Sequence, residues 1–121
     1  MKKFLFVLLF GLVGFGLEQK AEAQIFTTKL KITVVDELGN VVPDAKVTLY
    51  ANANDYKAEK NPVQEFQLTN KKGIVTFKGL NQKQYYVKVE KGDKTNAGGG
   101  EIISDLEPKK LNKANVVISE L

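Results

Sequence analysis

Residues 28 to 121 read as an all-β domain, an antiparallel sandwich of about seven short strands. Three observations predict it. Apolar and polar residues alternate with period two in one segment after another. Clusters of Gly, Asn, Asp and Lys interrupt the alternation at intervals of roughly ten to fifteen residues. No stretch carries the apolar spacing of a long amphipathic helix.

The first strand is "KLKITVVD". Leu30, Ile32 and Val34 fall on one face and Lys29, Lys31 and Thr33 on the other, and its β-branched residues suit a half-buried strand. "ELGN" turns the chain, with Gly39 free to take a positive φ. Pro43 cannot donate to a ladder and so marks an edge or an entry point. In "AKVTLY", Ala45, Val47 and Leu49 point inward and Lys46, Thr48 and Tyr50 outward. "NANDYKAEKNP" is a polar surface loop with room for a short helical turn.

"VQEFQLT" puts Phe66 and Leu68 on a common face, with Val63 off phase. After the turn "NKKG", "IVTFKGL" points Val75 and Phe77 inward and closes a corner with Leu80. "QYYVKVEK" sets Tyr85, Val87 and Val89 against Tyr86, Lys88 and Glu90. "GDKTNAGGG", with four glycines, has no periodicity and reads as a mobile connector. "EIIS" and "ANVVISEL" supply one short and one longer strand.

The N-terminus belongs to a different class. Two lysines precede an uncharged apolar run from Phe4 to Leu17, and Ala21-Glu22-Ala23 fits the small-x-small rule for signal-peptidase cleavage. The run is shorter than the roughly 20 residues a spanning helix needs. Residues 1–23 are therefore expected to be a signal peptide, 24–27 a short extension and 28–121 the domain. Cleavage would expose Gln24, leave no stable membrane span, and place the protein in a periplasm or outside the cell.

Composition removes several chemistries. There is no cysteine and no histidine, which excludes Ser-His and Cys-His triads and zinc sites of the usual kind. Packing alone has to hold the fold, because no disulfide can. From Gln24 onward fifteen lysines face twelve acids, and the chain has no arginine. Lysine lacks the planar fork that grips phosphates, so no nucleic-acid partner is expected.

Two segments resemble a known family. "DELGNVVPDAKVTLY" is similar to the first hairpin of carboxypeptidase regulatory-like and Cna-B-type domains, whose pattern is D-x-x-G-x-x-(V/P)-x-(G/D)-A-x-V-x-L. "TNKKGIVTFKGLNQKQYYVKV" resembles their second half, with Thr69, Gly73, Phe77, Leu80, Tyr85, Val87 and Val89 at the matching places. Lys83 stands where the family usually has glycine. The resemblance implies a prealbumin-like (transthyretin-like) Greek-key sandwich and speaks to fold more than to function.

It also implies which family chemistries are missing. Some Cna-B-type domains form an internal Lys–Asn isopeptide bond assisted by a buried acid. The lysine's place is held here by Val34 and the acid's by Val89. Lys31 and Glu90 are on the wrong phase to substitute, and Asn115 reads as a strand-entry residue. Relatives that hydrolyse 5-hydroxyisourate depend on histidines, and carboxypeptidases carry catalysis on a separate zinc domain. Neither is present in this chain.

Other candidates are weighed residue by residue. Asp36, Glu37, Asn40 and Asp44 offer oxygens around one turn, but Asx residues are ordinary turn formers, so no metal is assigned. Seven lysines lie between Lys71 and Lys94. Of these, Lys78 and Lys88, with Tyr86, are expected to face outward on neighbouring strands as a tentative ligand face. A solubilising lysine face is the alternative. Tyr50 and Tyr56 are weaker candidates for stacking on sugar. Asp44, Glu65 and Glu101 would have to converge for carboxylate catalysis, and nothing in their spacing predicts it. The sequence thus points to a non-catalytic binding or structural module without cofactor. Its expected partner is a protein or a cell-envelope glycan, with carbohydrate binding as the runner-up.

Overall fold

The computed structural model describes residues 27–120. The expected signal peptide lies outside the described residues. Two sheets face each other. The smaller contains β4 (Ile74–Leu80), β1 (Thr28–Val35) and β8 (Leu111–Val117), in that order. The larger runs β3 (Gln67–Leu68), β2 (Lys46–Tyr50), β5 (Tyr85–Lys91), β6 (Lys94–Thr95) and β9 (Ser119–Glu120), with β7 (Ile102–Ile103) also on β5. A single short helix among the described residues, α1 (Ala53–Ala58), sits in the polar loop after β2.

Period-two patterning decides what is buried. Leu30, Ile32 and Val34 of β1, Val47 and Leu49 of β2, Phe77 of β4 and Val87 and Val89 of β5 are all 0% exposed. Ala45, Val75, Leu80, Tyr85, Leu106, Val116 and Ile118 complete this core between the sheets. Each fully buried Leu, Ile, Val or Phe contributes about 1.5–3 kcal/mol relative to exposure. That is how the domain holds without a disulfide.

The fold is the expected all-β sandwich, and three details differ from expectation. Pairing is antiparallel except between β1 and β8, which run parallel from Lys29↔Leu111 to Val35↔Val117. The first and last long strands meet in one sheet and point the same way, a non-local pairing that local periodicity cannot reveal. Phe66 and Leu68, 50% and 56% exposed, share a face, the outer one: Leu68 stands in register with Lys46. Asn115 lies in the middle of β8, exposed, rather than at a strand entry. The glycine-rich connector contains β6 and the buried Asn96.

Polar side chains replace ladder bonds where strands stop. The Asp36 carboxylate accepts from Leu38 and Asn40 N–H at 3.0 and 2.9 Å, closing the β1 turn. Those two amide bonds offset its slight burial and hold the Asp36 carboxyl below its ordinary value, the Asn40 amide counting most. Thr69 Oγ1 accepts from Ala45 N–H at 2.8 Å and donates to Val42 O at 2.6 Å, tying the entry of β2 to the end of β3. Tyr85 carries its hydroxyl to the β4–β5 turn, where it accepts from Asn81 and Gln82 N–H at 3.0 Å each. Lys83, in that turn, is not among the residues with positive φ, so the family's glycine is not needed there.

Candidate functional site

Of the side chains proposed for binding, Tyr86 and Lys88 lie on the outer face of the larger sheet. Lys46, Thr48 and Tyr50 of β2 stand in register with Glu90, Lys88 and Tyr86 of β5. Above them lies α1. Asn52 caps it by accepting from Asp55 N–H at 2.8 Å, and Glu59 ends it in the left-handed region. This cap geometry delivers Tyr56 onto the sheet.

Tyr56 is the hub of an aromatic cluster. Its ring meets Tyr50 edge-on at 5.9 Å and lies tilted on Tyr86 at 5.6 Å. Its hydroxyl donates to Glu101 Oε2 at 2.9 Å, and that same oxygen accepts from Gly98 N–H at 2.8 Å. Lys88 Nζ sits 5.5 Å from the Tyr56 ring and 3.2 Å from Glu59 Oε2. Burial, and then the Glu101 bond, push the Tyr56 hydroxyl up to about 12. Burial, then the Glu59 charge, raise Tyr50 as well. The Gly98 amide, and then the Tyr56 hydroxyl, hold Glu101 below its ordinary value.

These shifts give a signed pH prediction. Folded Tyr56 keeps its proton to about 12, whereas the unfolded residue releases it near 10, so stability falls as pH rises between those values. Glu101 acts at the other end. Its contribution is present above the unfolded value and is lost as pH falls through the lowered folded one. Tyr56→Phe is expected to cost about 1.5–3 kcal/mol at neutral pH, the worth of a hydrogen bond to a charged group. It should also remove the Tyr56 part of the alkaline slope, as read by urea melts at a series of pH values.

The structure divides the expected ligand face. Tyr86 and Lys88 are half-buried neighbours on β5. Lys78 is exposed on β4, in the other sheet. The short β4–β5 connection crosses from one sheet to the other instead of making a hairpin within one. The tyrosines also differ from expectation: Tyr50 and Tyr56 are buried, and Tyr86 turns its ring to Tyr56.

Beside this cluster lies a depression of about 280 Å³ that sequence reasoning missed. Thr48 and Tyr50 line its floor, and Lys46, Glu65, Phe66 and Glu90 line its walls. Thr48 and Tyr50 are 7% and 5% exposed, yet neither hydroxyl is hydrogen-bonded within the described residues. Lys46 Nζ lies 4.6 Å from the Phe66 ring centroid, and the half-exposed ring borders the opening. The one available signal was Phe66 itself, an aromatic residue flanked by Glu65 and Gln67.

The candidate carboxylates do not converge on one site. Asp44 borders a different depression with Asp36 and Lys94, Glu65 belongs to the Phe66 depression, and Glu101 is held by Tyr56 and Gly98. Among the described residues no three acids, histidines or cysteines are grouped to hold a metal ion. Asn115 and Lys31 lie on the outer face of the smaller sheet, whereas Val34 and Val89 occupy the core.

Two facing sheets, with the first and last long strands parallel in one of them, define the class as an all-β sandwich. Known structures agree with that. The chain is similar to the Bacillus anthracis TIE protein (TM-score 0.53, 24% identity, 77% of this chain and 17% of that one). It is also similar to the group B streptococcus pilus 2b backbone protein (TM-score 0.50, 17% identity, 78% and 41%). A third match is the major pilin subunit of Bacillus cereus (TM-score 0.50, 15% identity, 78% and 30%). The chain spans less than half the length of each of these proteins, and at such identities the likeness is one of fold. No family model and no curated protein sequence matches the chain.

Proposed function

We propose that this chain is an exported, non-catalytic structural or binding module of the bacterial cell envelope or extracellular space. Residues 1–23 would serve as a cleaved leader. One observation carries the reading: the buried polar groups of Thr69, Tyr56, Tyr85 and Asn96 are spent on holding the fold. Among the described residues, no side-chain nitrogen or oxygen sealed from solvent lacks a partner. Active sites, by contrast, tend to hold strained or unpaired polar groups ready for substrate. The likeness to a pilus backbone protein and a major pilin subunit supports a structural role. Among the described residues no helix is long and apolar enough to cross a membrane. A lysine-only basic complement supports a protein or glycan partner over nucleic acid.

A pull-down with the exported protein tests this reading on peptidoglycan, lipopolysaccharide, host and plant glycans, and envelope protein extract. Retention of an envelope polymer or capture of an envelope protein is expected. Retention of neither contradicts the proposal.

Carbohydrate binding is the second reading, and the Phe66 depression is the observation that favours it. Two solvent-reaching hydroxyls without protein partners, flanking carboxylates and a half-exposed ring suit the hydroxyls and C–H faces of a sugar. If a glycan is retained, Phe66→Ala and Tyr50→Phe should each weaken retention about tenfold, the scale of one lost polar or stacking contact. Lys78→Ala, on the other sheet, should leave it unchanged. Capture of a protein partner with no polymer retained removes this reading.

A further inference from the structure

We propose that β8 is a self-pairing edge, through which two copies of this chain join their smaller sheets into one continuous sheet. The argument begins with how each edge is treated. β-Sandwiches expose rows of unpaired N–H and C=O groups at sheet edges, and most are shortened, plugged or covered. In this protein β3, β7 and β9 are two residues each. The free side of β4 is plugged by glutamines: Gln67 Nε2 donates to Thr76 O at 2.9 Å, and Gln64 Nε2 donates to Lys78 O. β8 is seven residues long and, among the described residues, has no such plug.

The ladder shows which groups are free. Lys29 N–H donates to Lys110 O, and Ile118 N–H donates to Val35 O, both at 2.9 Å. The parallel register between those bonds turns the backbone groups of Asn112, Ala114 and Val116 toward β1. The N–H and C=O groups of Leu111, Lys113, Asn115 and Val117 therefore point to the open side. None of the four has a backbone partner there among the described residues.

The sequence of β8 is complementary to itself. An antiparallel copy centred on Ala114 pairs Leu111 with Val117 of the second copy and Lys113 with Asn115. All four free residues then become hydrogen-bonded pairs, giving about eight ladder bonds. The half-exposed Leu111 and Val117 cover each other on the outer face. Shifting the centre to Lys113 sets lysine against lysine and leaves fewer bonds. Centring on Asn115 also loses bonds and sets Lys113 against Val117. At the two-fold axis stands Ala114, small enough for the strands to meet without a clash on the inner face. The occupant this edge fits best is thus a second copy of the same chain, in one register.

That register is testable by cysteine cross-linking, because the chain has no cysteine of its own. Ala114→Cys and Leu111→Cys are made in the full-length chain, each protein is recovered after expression, and both are oxidised under identical conditions. Across the axis two residues at position 114 would be about 4.5 Å apart between Cα atoms, within disulfide reach. Two residues at position 111 would be roughly 20 Å apart, well outside it. Covalent dimer is expected for Ala114→Cys at ten times or more the yield of Leu111→Cys. Adding Lys113→Pro to Ala114→Cys removes an N–H that only the dimer uses, and should abolish the cross-link while the thermal midpoint moves by a few degrees at most. Equal cross-linking at 111 and 114, or none at either, overturns the proposal.

Discussion

Replacing Asn96 with alanine is expected to remove about 3–5 kcal/mol of stability, the largest single effect of any polar substitution in the domain. The side chain is 1% exposed, and its amide stands in for a peptide group. Strand β5 pairs with β6 at Glu90↔Thr95 and with β7 at Tyr86↔Ile102, and between them the ladder has a gap. Asn96 fills it. Its oxygen accepts from Val89 N–H at 2.9 Å, and its nitrogen donates to Val87 O at 2.9 Å and to Gly100 O at 3.1 Å. Alanine would leave Val89 N–H and Val87 O buried and unpaired, at about 1–3 kcal/mol each. A domain of this size has only about 5–14 kcal/mol in total. Urea unfolding should therefore show the midpoint reduced by about a fifth or more at nearly constant m. Asn96→Asp keeps the acceptor and loses both donors. It should be at least as damaging at neutral pH and should partly recover in acid, as the carboxyl gains a proton to donate.

Gly73→Ala is expected to cost about 3–5 kcal/mol, from backbone strain and collision acting together. Gly73 has φ +77°, and a Cβ there would lie 2.8 Å from Val34 O, 3.0 Å from Val41 Cβ and 3.1 Å from Val42 N. Those atoms cannot move aside. Val34 O accepts from Val42 N–H at 2.9 Å, and Val34 N–H donates to Gly73 O at 2.8 Å, so β1, the β3–β4 turn and the entry to β2 lock at this point. Gly79 is the matched control. Its φ is +69°, but a Cβ would meet nothing within 4 Å. Gly79→Ala should carry the strain alone, about 1–2 kcal/mol. Equal midpoints for the two variants in urea would rule out the collision.

The contrast between these residues and the core shows what the sequence made legible. Alternation alone points Leu30, Ile32, Val34, Val47, Leu49, Val87 and Val89 to one face of their strands, and the sandwich buries them all. Burial on a strand is a local property with a period of two, so it can be read directly. The role of Asn96 is different in kind, because a side-chain amide replacing a peptide group depends on two strands ending at the same place. The candidate site was hidden for a similar reason. Tyr50 reads as outward, and it is, but α1 brings Tyr56 over it and closes the face. Lys78 reads as a neighbour of Tyr86 and Lys88 because their strands are consecutive. The chain between them crosses sheets, and no residue of "NQKQ" announces that crossing.

Export is the premise on which the proposed role rests, and locating the protein together with its first residue tests that premise most directly. The full-length gene is expressed in a bacterial host, the cells are fractionated, and the N-terminal residue of the recovered protein is determined. Export predicts protein outside the cytoplasm beginning at Gln24, blocked if that glutamine has cyclised. A chain recovered in the cytoplasm and still beginning at Met1 would contradict it.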